Sequence, residues 1–170
     1  VFPFIQGRIG EGFIMRSKEL LLAVKAHISE HLKTYSEINL NVFIHNLPVQ
    51  EVSDSESLFP FVILRFDEQE LNEEYTESTL VFALGVNDDS SQENAGLLLA
   101  EICDALTAVF YNNRITGTFF ETKLPIKIKQ AEPEKKWNEY HFSSMELTFS
   151  HNTLPPRPLD GEYENEGNIL

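Results

Sequence analysis

The stretch HISEH, residues 27–31, holds the residue types and the spacing of metal chemistry. Read as H-x-x-E-H, it sets two imidazoles one helical turn apart to grip an ion, with a glutamate beside them to activate a bound water. A catalytic zinc also needs a third protein ligand and an open position. The next helix offers Glu101 and Asp104, neither in a recognisable motif, while Glu93 is better used as a helix cap. His27 and His31 fall at the edge of an apolar stripe beside Leu20 and Val24, and Glu30 falls toward solvent. The expected reading is a helix surface, with a metal-dependent hydrolase built on HISEH as the alternative.

Other chemistry is sparse. The chain has no G-x-S-x-G, C-x-x-C or Walker sequence. Gly7, Gly10 and Gly12 make G-x-x-G-x-G, which is not the dinucleotide fingerprint, and no Gly-Lys-Ser/Thr follows. Cys103 lies on a helical apolar stripe and reads as a core thiol. His45, His141 and His151 share no acid spacing, and the pairs Glu73/Glu74 and Asp88/Asp89 sit in polar stretches. One basic segment stands out: Lys123, Lys127, Lys129, Lys135 and Lys136, with Trp137 nearby. These residues imply no cofactor, no metal site and no catalytic set.

Composition bounds the role. A chain of 170 residues with 42% hydrophobic residues and 13 Phe can bury the core of one domain. No uninterrupted apolar run approaches the roughly 18 residues of a membrane span. A single cysteine leaves no intramolecular disulfide and makes a reducing compartment the default. With 27 acidic against 13 basic residues, the net charge of −14 disfavours wrapping DNA or binding an anionic membrane. It suits a surface past which DNA moves without adhering.

The elements that must position these residues follow from periodicity. Residues 17–33 predict a helix with Leu21, Val24, Ile28 and Leu32 on one face and Ser17 as N-cap. Residues 38–48 predict a strand ended by Pro48. Residues 58–66, LFPFVILRF, predict a strongly apolar strand, followed by an acidic connection, DEQELNEEY. Residues 77–86 predict a central strand covered on both sides. Ser90 and Glu93 form a capping box for a helix whose stripe is Leu98, Leu99, Ile102, Cys103, Leu106, Val109 and Phe110. Asn112 and Asn113 suit a left-handed stop. TGTFFETK and PIKIKQ predict two short strands, or one bent at Leu124–Pro125. Residues 138–151 predict the last strand, with Phe142, Met145, Leu147 and Phe149 facing inward or into an interface.

The expected fold is α+β, a mainly antiparallel sheet of about four to five strands packed against two helices. Residues 15–151 form the expected single domain. Residues 1–14 are expected to be a start-site artefact ahead of Met15, and residues 152–170 an acidic, proline-containing tail.

The ordered segments PFVILR, ALGVND, the long helix, TKLPIKI and EYHFSSMELTF resemble the tail-terminator, or tail-completion, proteins of long-tailed phages and prophages of Gram-positive bacteria. The resemblance spans residues 58–156. It implies an α+β virion protein, assembled in the host cytoplasm, that closes into a ring (a hexamer) on the tail tube. Such a protein ends tube growth and helps form the head–tail joining surface. It has no cofactor and is not an enzyme. Implied partners are further copies of itself, the tail-tube protein and a head-completion protein, with DNA only as passing cargo and no membrane. Ring contacts need two complementary patches per subunit. From charge, the candidates are Asp67, Glu68, Glu70, Glu73 and Glu74 on one side and Lys123, Lys127 and Lys129 on the other. A monomeric adaptor domain is a further alternative, separable by assembly state.

Overall fold

The computed structural model describes residues 16–48, 58–87, 92–130 and 140–153. The expected leader, the capping Ser90, the pair Asp88/Asp89, Lys135, Lys136, Trp137 and residues 154–170 lie outside them. In chain order the elements are α1 (Ser17–Tyr35), β1 (Asn41–Ile44), β2 (Phe61–Leu71), β3 (Tyr75–Asn87), α2 (Gln92–Asn112), β4 (Ile115–Thr116), β5 (Phe120–Gln130) and β6 (Tyr140–Asn152). The class is α+β: one six-stranded sheet in the order β1-β2-β3-β6-β5-β4, with both helices packed on one face.

β3 and β6 alternate as a half-covered sheet requires, while β2 is buried on both faces over Phe61–Leu64. Val62 and Leu64 of β2, Leu80, Phe82, Leu84 and Val86 of β3, and Met145, Leu147 and Phe149 of β6 are buried in the core. They meet Leu20, Val24, Ile28 and Leu32 of α1 and Leu99, Ile102, Leu106, Val109 and Phe110 of α2. Phe110 is the hub, with ring centroids 5.6 Å from Phe82, 5.7 Å from Phe149 and 5.2 Å from His27. By length and composition α2 could cross a membrane. Its buried stripe docks on the sheet, and Glu101 and Asp104 occupy its exposed side, which is the pattern of a core helix.

Several expectations change in place. The sheet has six strands rather than four to five, because the two-residue β4 is added at one border. β1 is short and runs parallel to β2, so the first adjacent pair is not antiparallel. The acidic stretch expected as a connection continues β2 through Leu71, paired with Thr76–Thr79 of β3. Only Asn72–Glu74 remain as a turn, closed by Asn72 N–H to the Tyr75 carbonyl at 2.9 Å. β3 is covered by helices on one side only; Thr79, Val81 and Ala83 on its other side are half-buried.

Arg16, not Ser17, is the N-cap of α1, and it makes no side-chain capping bond. α2 ends without a left-handed residue: Asn113 donates both its backbone N–H (3.1 Å) and its side-chain amide (3.0 Å) to the Val109 carbonyl. β5 is one strand, irregular between Lys123 and Lys127. Phe142 is exposed on the face away from the helices. The last strand runs to Asn152, and the buried Thr153 bonds Thr76 through their hydroxyls at 2.8 Å. Gly85 is needed where it stands: a Cβ there would lie 2.4 Å from the Phe61 ring.

Candidate assembly interface

The cross-strand register fixes the face of every charged candidate. Glu68 pairs with Thr79, which pairs with Thr148, which pairs with Lys123. Val81 likewise pairs with Arg65 and Glu146, and Glu146 with Lys127. Residues in one such row share a face. Glu68, Glu70, Lys123, Lys127 and Lys129 therefore all stand on the side of the sheet away from the helices. Asp67 occupies the register shift between Phe66 and Glu68, and Glu73 and Glu74 occupy the turn.

The acidic and basic groups share that face but are not brought together. β3 and β6 lie between β2 and β5, three strand spacings or about 14 Å across. The lysines pair locally instead: Lys127 with Glu146 at 3.2 Å and Lys123 with Glu121 at 3.3 Å. These pairs are exposed and contribute about 0–1 kcal/mol each. The sheet thus carries an acidic border on one side and a basic border on the other. Charge alone marks these residues in the sequence, where the acids read as a loop. The missed signal is the Thr76/Thr79 stretch, β-branched and able to ladder with an acidic strand whose side chains remain in water.

The HISEH helix surface needs correction at one residue. His27 is buried, and its Nε2–H donates to the Asn113 carbonyl at 3.0 Å, tying α1 to the end of α2. Its ring lies 4.4 Å from that of His31. His31 is half-buried and Glu30 is exposed, as the stripe predicts. With Ala23, Ala26, Ile115 and Gly117 these residues line an open cleft of about 240 Å³. The donor set fits a metal poorly. His27 has committed Nε2, and no group of three ligating side chains gathers among the described residues.

Burial, with the nearby His31, pushes the His27 pKa below its ordinary value, against the raising effects of the Asn113 carbonyl and Glu30. The folded state therefore holds His27 neutral, while the unfolded chain takes up a proton below about pH 6.5. The stabilisation is complete above that pH and is lost as pH falls from there through the folded-state pKa. His27→Gln should cost about 1–2 kcal/mol at neutral pH and should flatten this dependence. Urea midpoints measured near pH ~7.5 and ~5.5 check it; equal slopes in both proteins would remove His27 as the titrating group.

Burial also raises the Cys103 pKa. Its thiol lies 3.7 Å from the Ser143 hydroxyl, the inert core setting expected from its place on the stripe.

No family model matches the chain, and no curated protein matches it. Among solved structures, a mycobacterial sensor histidine kinase aligns over 81% of this chain and 97% of its own at 9% identity, with a TM-score of 0.24. A superposition that loose carries no functional argument.

Proposed function

We propose that this chain is a phage or prophage structural protein that caps the tail tube, ends its growth and presents a joining surface to the head. The observation that carries the reading is the ordered resemblance over residues 58–156. Its segments are β2, β3, α2, β5 and β6, the frame of the fold rather than its periphery. A growing tube adds rings while its end offers an unpaired surface. A cap binds that surface and shows a different one outward, so the next ring finds no match. The task needs shape and distinct interfaces, not chemistry. A net charge of −14 fits a conduit, because like charge keeps DNA phosphates from adhering.

In this reading the partners are copies of the chain in a ring, a hexamer by resemblance, with the tail-tube protein below and a head-completion protein above. The place of action is the virion. Deleting the gene from an inducible prophage should yield DNA-filled heads without tails, together with free tails of irregular, excess length in electron micrographs. Tails of normal length joined to heads would overturn the proposal.

A further inference from the structure

Among the described residues, both long borders of the sheet are incompletely covered. β1 pairs with β2 only over Phe61–Leu64, and β4 pairs with β5 only at Phe120 and Glu121. Among the described residues, no strand borders the outer rims of 66–71 in β2 or 123–130 in β5. Such rims present unpaired backbone N–H and C=O groups to any strand that fits.

The two rims are complementary in charge on the face away from the helices. Away from the helices, β2 carries Glu68 and Glu70 where β5 carries Lys127 and Lys129. On the helix side β2 carries Gln69 and Leu71 and β5 carries Ile126 and Ile128; Leu71 is 47% and Ile128 46% exposed. β2 and β5 run in opposite directions, since three antiparallel pairings separate them. A second copy in the same orientation therefore meets the first in antiparallel sense.

We propose that copies of this chain join edge to edge, the acidic rim of β2 in one pairing antiparallel with the basic rim of β5 in the next. The register that matches charge to charge sets Glu68 opposite Lys129 and Glu70 opposite Lys127. It then sets Gln69 beside Ile128 and Leu71 beside Ile126. Opposite charges directly across a ladder stabilise it, and like charges oppose it. A β2–β2 or β5–β5 contact would face like charges, which disfavours a two-fold dimer and selects head-to-tail assembly. Glu68 and Lys129 lie in different rows of one subunit, the rows of Thr79 and Ala83. Each joint therefore steps about 13 Å along the strands, and closure needs strands tilted to the ring axis, as in a barrel. The shift at Asp67 and the proline at 125 blunt the remaining rim against unselective pairing. The proposal rests on the ring reading for its occupant, a second copy.

The test uses the full chain. Glu70→Cys and Lys127→Cys together should give a ladder of covalent oligomers on a non-reducing gel after mild oxidation, and either change alone at most a dimer. Cys103 is buried and should not contribute. In light scattering, Lys127→Glu/Lys129→Glu and Glu68→Lys/Glu70→Lys should each stay monomeric alone and assemble when mixed, which a merely misfolded variant would not do. Oligomers without a ladder, or a mixture that fails to assemble, would overturn the edge pairing and leave the ring reading in place. A monomer without a ladder would also overturn the edge pairing, and the ring reading would then be judged by the prophage deletion.

Discussion

Leu106→Asp should leave no soluble folded protein. Leu106 is fully buried in the middle of α2, where that helix meets the sheet. A carboxylate there loses its water and gains no charged or hydrogen-bonding partner of its own. Burying it, ionised or protonated, costs several kcal/mol, and the lost leucine packing adds to that. The total stability of a domain this size is about 5–15 kcal/mol. Leu97→Asp is the matched control: the same helix, the same chemistry, but a side chain 63% exposed. It should express and melt like the parent protein. Soluble fraction and circular dichroism check both. A soluble Leu106→Asp protein with a cooperative melt would show that α2 does not dock as described.

Phe110→Ala should be the most damaging truncation to alanine. The ring has no exposure and touches partners from three elements: Phe82 of β3, Phe149 of β6 and His27 of α1. Removing it strands two edge-to-face aromatic contacts and opens a cavity that rigid strands cannot fill. The expected loss is about 3–5 kcal/mol. At roughly 2–4 °C per kcal/mol for a protein of this length, the melting temperature should fall by about 6–20 °C. Calorimetry measures it. A fall of only a degree or two would mean that α1 or the strands close the gap.

Much of this was legible along the chain. The stripe Leu99, Ile102, Leu106, Val109 and Phe110 repeats at the helical period, and all five are core. Phe61–Leu64 and Met145, Leu147, Phe149 carry the apolar and alternating patterns of strands, and they form them. The charged candidates were visible too, though not the element that holds the acids. Sequence patterns register which side chains leave water. Residues 67–71 leave little of themselves behind, so the pattern reads as a loop. The structure makes them a strand because ladder hydrogen bonds to β3 satisfy the backbone whatever the side chains are.

His27 shows the same limit in a helix. Its position at the stripe edge is local and readable. Its burial is not, because it depends on the end of α2 arriving 86 residues later with the Asn113 carbonyl aimed at Nε2. By itself, then, the sequence determined the α+β class and the two helices with their buried faces. Those are consequences of periodicity and composition, which act within a few residues. The tertiary structure alone decided the strand order, the parallel seating of β1 and the bond that buries His27. It also decided the placement of acidic and basic rims on opposite borders of one sheet face. Each of these depends on pairing between segments distant in sequence, and no local pattern encodes the partner.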